Sequence, residues 1–145
     1  MGVRFIYESD DYNPARELIC THVCEYVSRL LTLPVDIQIV FAIMDNNVYG
    51  HTFLSNRFKN RISINNIISP EEIPNVLVHE LIHLSQIETG ILAISNNRKY
   101  SWRGKVVNIT ESDNYNNYVQ LPWEKDVAKK QQTILPQVIE YLSTL

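Results

Sequence analysis

The stretch "VLVHELIHLSQ", Val76 to Gln86, sets His79, Glu80 and His83 inside an otherwise apolar run. Val76, Leu77, Leu81, Leu84 and Ile87 give the segment the pattern of a central helix. Ionisable groups on such a helix need a reason, because a buried charge without a partner is costly. The spacing supplies one. His79 and His83 lie four residues apart, so both imidazoles sit on one helix face, one turn apart. Two ring nitrogens so placed can meet one zinc ion at the usual ~2.0–2.1 Å. Glu80 lies about 100° round the helix, close enough to reach a water on the ion without ligating it. This is the H-E-x-x-H pattern of metallopeptidases. The metal lowers the pKa of its water and polarises a scissile carbonyl, and the carboxylate takes the proton. The competing reading, two core histidines with Glu80 on an exposed face, sits poorly with so apolar a helix.

The whole chain limits the alternatives. Its 145 residues are 45% hydrophobic and 20% charged, which predicts one domain over 1–145 with a core that needs no disulfides. A net charge of −3 and the absence of a basic stripe argue against a nucleic-acid surface. Lys129 and Lys130 read as a solvated helix face. No apolar run approaches the roughly 20 residues of a membrane span. "MGVRFIYESDD" lacks the apolar core of a signal peptide, and Ile6 stands where myristoylation needs Ser or Thr. These features predict a cytoplasmic protein. Cys20 and Cys24, one helical turn apart with His22 on another face, read as core thiols, not as metal ligands.

Element signals run along the chain in the order β, α, β-β-β, α, an irregular segment, α. "VRFIY" (3–7) alternates as a strand. Asn13-Pro14 opens a helix, which Pro34 ends. "VDIQIVFAI" (35–43) is a strand with Val35, Ile37, Ile39 and Phe41 on one side. Asp45-Asn46-Asn47 is turn chemistry, and "VYGHTFL" returns as a second strand. "RISINNI" (61–67) alternates Ile62 and Ile64 with Arg61, Ser63 and Asn65, the pattern of a half-exposed edge strand. A short turn at 70–73 precedes the main helix from about Pro74, and Gly90 stops it. Residues 98–110 read as an irregular hairpin. Leu121-Pro122 opens a last helix that Pro136 breaks or kinks. Strands segregate from helices, which predicts an α+β fold with a small, mainly antiparallel sheet.

A catalytic zinc normally has three protein ligands and a water. The extended metzincin signature fails, since Gln86 stands at its Gly and Thr89 at its third His. The acids that follow are Glu111, Asp113, Glu124 and Asp126. Glu124 is favoured: Pro122 sets it in the first turn of a helix, and Trp123 can anchor that turn. The alternative for Glu124 is ordinary stabilisation of a helix N-terminus by an acid. For the developing oxyanion, Tyr115, Tyr118, Arg103 and His51 are candidates, with Tyr118 nearest Glu124 in sequence. Gln86 either bonds a ligand or substrate, or is a surface residue.

Taken together, "HELIHLSQ", "YSWRGK" and "YVQLPWEKD" resemble the small phage and bacterial metallopeptidases of the gluzincin type. That group pairs H-E-x-x-H-x-x-Q with a W-x-G segment and a terminal P-W-E-x-E-A. The matching residues are His79, Glu80, His83, Gln86, Trp102, Gly104, Pro122, Trp123 and Glu124. Asp126 and Val127 depart from the pattern, and the shorter acid could still orient a ligand histidine. The resemblance implies a zincin-like fold with an N-terminal helix, a central H-E-x-x-H helix and a C-terminal helix carrying the third ligand. It implies zinc held by His79, His83 and Glu124, Glu80 as general base, and a peptide added as a strand alongside "RISINNI". The expectation is a zinc-dependent peptidase with a peptide or protein substrate. The alternative is a non-catalytic zinc domain, a structural or interaction module of phage origin.

Overall fold

The computed structural model describes residues 1–9, 11–52, 59–95, 99–108 and 118–145. Its architecture is α+β, with three long helices and two small sheets. Strand β1 (Gly2–Tyr7) leads into helix α1 (Pro14–Val27), followed by β2 (Asp36–Ala42), β3 (Gly50–Thr52) and β4 (Arg61–Asn65). Helix α2 (Ile73–Glu88) comes next, then β5 (Leu92–Ile94), β6 (Tyr100–Trp102), β7 (Lys105–Val107) and helix α3 (Pro122–Ser143). Asn13 caps α1 as its sequence suggests: its side-chain oxygen accepts from the Ala15 and Arg16 amides at 3.0 and 3.3 Å. Gly90 follows α2 with a φ of +79°, a left-handed conformation that glycine adopts without a steric penalty.

The main sheet has the order β1-β2-β4-β3. It is not mainly antiparallel. β1 pairs with β2, and β2 with β4, in parallel, and only β3 runs antiparallel to β4. Two sequence expectations change with this order. Residues 43–49 do not close a hairpin from β2 to β3; they cross the end of β4, which fills the place between. And "RISIN" is an inner strand, so among the described residues β3 forms the edge. Ser63 and Asn65, expected on an exposed face, are buried. Their polarity has a use. The Asn65 amide donates to the Asp45 and Val48 carbonyls at 2.9 and 2.7 Å, and its backbone N–H to Tyr49 at 2.9 Å. One buried side chain thus holds the crossing loop that β3 needs.

Helix α2 lies at the centre, packed against α1, α3 and strands β3, β4 and β5. The core joins Ile37, Ile39 and Phe41 of β2 and Ile62 and Ile64 of β4 to Leu77, Val78, Leu81 and Ile82 of α2. Cys20 and Cys24 are fully buried there as free thiols. Val35, by contrast, precedes β2 and is exposed. α3 contributes Val127, Ile134 and Val138, a stripe at helical spacing. Pro136 does not break that helix, which continues to Ser143. No helix among the described residues is long and apolar enough to cross a membrane.

Strands β5, β6 and β7 form the second sheet, antiparallel throughout. The segment expected to be irregular contains a regular two-residue hairpin. Arg103 and Gly104 carry φ of +53° and +82°, the paired left-handed conformation of a type I′ turn. The Trp-x-Gly spacing therefore has a backbone reason: the glycine occupies the second left-handed position.

Replacing Asn65 with Ala removes three hydrogen bonds, two donated to the Asp45 and Val48 carbonyls and one accepted from the Ile67 N–H; the Asp45 carbonyl keeps the Val48 N–H, and the Val48 carbonyl loses its donor. At about 1 kcal/mol per bond plus desolvation of the orphaned groups, a loss of roughly 2–4 kcal/mol is expected in chemical denaturation.

Candidate metal centre

Helix geometry brings His79 and His83 to one face of α2, and the first turn of α3 brings Glu124 against them. The Glu124 carboxylate lies 2.8 and 3.2 Å from His83 Nε2 and 3.5 Å from His79 Nε2. The two rings stand 5.1 Å apart, centre to centre. Glu124 is buried at 7% exposure, so it is not simply a surface acid at a helix N-terminus. His79, Glu80 and His83 can also bring one ligand atom each within 4.8 Å of the others.

The far side of each imidazole is held by an amide. His83 Nδ1 lies 2.8 Å from Gln86 Oε1, and the Gln86 Nε2 donates to the Trp123 carbonyl at 3.0 Å and to Asp126 Oδ2 at 2.9 Å. His79 Nδ1 lies 3.2 Å from Gln131 Oε1, and the Gln131 Nε2 donates to the carbonyl and side-chain oxygens of Asn75, both at 2.9 Å. Each Nε2 must be the amide nitrogen, since its partners are acceptors only. Each Oε1 therefore faces a ring nitrogen that must donate. Both histidines carry their proton on Nδ1, and in the neutral ring Nε2 keeps its lone pair, directed at Glu124.

Gln86 is thus a buried hub and not a surface residue. Asp126, at the departing position of the resemblance, reaches His83 through Gln86, and Lys130 fixes it from outside at 3.0 Å. Gln131 and Asn75 were missed in the sequence, although a signal exists. Gln131 lies seven residues after Glu124, and Asn75 four before His79, so each shares its helix face with a proposed ligand.

Glu80 is 5% exposed, and its Oε2 has no hydrogen-bond partner among the described residues. Burial raises its carboxyl above the ordinary range, against the pull of the two histidines. Strand β3 brackets it. Thr52 donates to the Glu80 carbonyl at 3.1 Å, and a Cβ on Gly50 would stand 3.1 Å from Glu80 Cγ and 2.9 Å from a Val76 methyl. Gly50 is required here for close approach.

Two chambers open on either side of Glu80. One, of about 490 Å³, is lined by Asn47, Tyr49, Asn75, His79 and Gln131. The other, of about 290 Å³, lies over His83 and Glu124 beneath Leu92, Tyr100, Leu121 and Trp123. Tyr118 lines both, and burial with the nearby Glu124 carboxylate raises its phenol pKa. His51 lines the second, where burial and then His83 lower its pKa. Arg103 lies outside the lining of either chamber; its guanidinium sits 5.9 Å from the centre of the Trp102 ring. Glu111, Asp113 and Tyr115 lie outside the described residues.

The donor set fits a divalent cation. Two imidazole Nε2 atoms, which donate to the carboxylate when protonated and offer lone pairs to a cation when neutral, converge on Glu124, and the buried Glu80 Oε2 stands beside them. In the metal-free protein the same groups set a pH profile. Burial works to raise Glu124, but the two imidazoles hold it at about 2, so its contribution is lost as pH falls below 4.5 towards 2. Burial works to lower His79 and His83, but Glu124 leaves both raised, so their contribution is lost as pH rises above 6.5. Glu80, raised by burial, also disfavours folding as it ionises above 4.5. Thermal melts of metal-free protein are expected to peak at mildly acidic pH, between about 4.5 and 6.5, and to decline on both sides.

Compared with known proteins, the chain matches no family model, no curated protein and no solved structure, so what this centre can do follows from its own geometry.

Proposed function

We propose that the chain is a zinc-dependent peptidase with a zincin-like arrangement, in which His79, His83 and Glu124 hold the metal and Glu80 is the general base. One observation carries the reading: two Nε2 atoms meet a single buried carboxylate while both Nδ1 protons are held from behind. A structural histidine pair has no need of such matched orientation, whereas a metal site depends on it.

His79, His83 and Glu124 would hold zinc there, and the ion would supply a Lewis acid for the scissile carbonyl and ease deprotonation of a water. Glu80 would take a proton from the attacking water and return it to the leaving amine. Tyr118, protonated at neutral pH, offers its phenol as a donor to the developing oxyanion. Gln86 and Gln131 keep the imidazoles oriented throughout. Strand β3, the sheet edge beside Glu80, offers main-chain groups to an extended peptide, the role that the sequence had suggested for β4.

The non-catalytic zinc domain remains the rival. A structural zinc site is closed by four protein ligands. Among the described residues the further acid beside the histidines is Glu80, which lines an open cleft with one oxygen unsatisfied, and this favours catalysis.

Elemental analysis of protein reconstituted with zinc is expected to give about one ion per chain. Glu80→Gln should keep the metal and lose peptide hydrolysis by at least about 10²-fold, whereas Glu124→Ala should lose the metal itself. A folded protein that takes up no zinc removes the proposal. Gln131→Ala is expected to weaken zinc affinity about 10–100-fold in a competition titration with a chelator, with the fold unchanged by circular dichroism.

A further inference from the structure

We infer that the substrate residue beside the cleaved bond is bulky and apolar, seated in the chamber between the β5–β7 sheet and the first turn of α3. The inference rests on the peptidase reading. The chamber's base is formed by His83, Glu80 and Glu124, so a side chain that fills it lies against the reaction centre. Leu92, Tyr100, Leu121 and Trp123 form its apolar wall, and His51, Thr52 and Tyr118 complete the lining.

Size, rigidity and contrast with the other chamber all point the same way. A volume of about 290 Å³ falls at the lower limit of small-molecule sites, room for one large side chain. The walls are preformed. Trp123 is 6% exposed and stacks on Tyr100 at 5.4 Å between ring centres, and Leu92, 2% exposed, is paired across the sheet to Trp102. Little ordering entropy is lost when they are covered. Aromatic and aliphatic walls reward apolar area and leave a charged group without solvent. An acidic side chain would also face Glu80 and Glu124. The chamber on the other side of Glu80 carries Asn47, Asn75 and Gln131, whose amides suit polar groups. The cleft is therefore chemically directional, more apolar beneath the β5–β7 sheet and the first turn of α3, and amide-bearing, beside Val48 and Val76, on the other side.

The test separates binding from turnover. The metal-free full chain is titrated with the N-acetyl amides of phenylalanine, leucine, alanine and aspartate, following the NMR signals of Leu92, Leu121 and Trp123. The phenylalanine and leucine probes are expected to shift these signals and to bind at least about ten-fold tighter than alanine, with no shift from aspartate. Leu121→Phe narrows the chamber and should weaken the phenylalanine probe about ten-fold, while the volume-conserving Leu121→Met retains it. Melting curves confirm that both variants fold, and Tyr100→Ala, which removes a wall, serves if Leu121→Phe does not. Equal binding of all four probes, or shifts confined to other residues, overturns the inference. In zinc-loaded protein, a peptide-library digest should show apolar residues enriched on one side of the cut. Cleavage without that enrichment overturns the chamber assignment and leaves the peptidase standing. Selective probe binding without any cleavage supports the chamber and removes the peptidase.

Discussion

The contact between the imidazole pair of α2 and the buried Glu124 carboxylate of α3 is the constraint around which the molecule is arranged. It demands that two helices distant in sequence meet in fixed register. Apolar packing provides the approach, through Val127, Ile134 and Val138 of α3 and the core of α2. That packing is non-directional and tolerates sliding. Hydrogen bonds provide the register. Gln86 reaches from α2 to the Trp123 carbonyl and Asp126, and Gln131 reaches from α3 to Asn75, so the helices are tied on both sides of the histidines.

Such a network is costly unless complete, because each unsatisfied buried group loses its hydration without return. Gln86 is complete, with its oxygen and nitrogen both engaged. The exception at the centre is Glu80 Oε2, and its position beside the histidines distinguishes it from a packing defect. Stability would be served by an apolar residue at position 80. A carboxylate buried there, with one oxygen bare among the described residues, is what the proposed general-base role requires. Strand β3 completes the enclosure, and Gly50 lets its backbone approach where any Cβ would collide.

Local pattern made much of this legible and long-range pairing did not. Helix α2 was readable from apolar periodicity and from Gly90, and Glu124 from Pro122 and Trp123, because these signals act within a few residues. Strand order was not, since the alternation in "RISIN" fits an edge or an inner strand equally until Asn65 is seen to be occupied by the crossing loop. The turn residues Asp45 to Asn47 suggested a hairpin, yet residues 43–49 are long enough to pass over a neighbouring strand. Pro136 suggests a break or a kink, and a helix already packed along its length continues past the missing N–H. The props Gln131 and Asn75 are ordinary surface-type residues in one dimension, and their meaning depends on which helix faces which.

Sulfur on the inner face of α1 has its own consequence. Cys20 and Cys24 are shielded by the core, and burial pushes the Cys24 thiol up to about 12 and Cys20 upward as well. Thiolate, the reactive form, is almost absent at neutral pH. Oxidants and alkylating agents therefore find no thiolate there until α1 lifts away from α2 and α3, and the two sulfurs of the folded chain are indifferent to their redox surroundings.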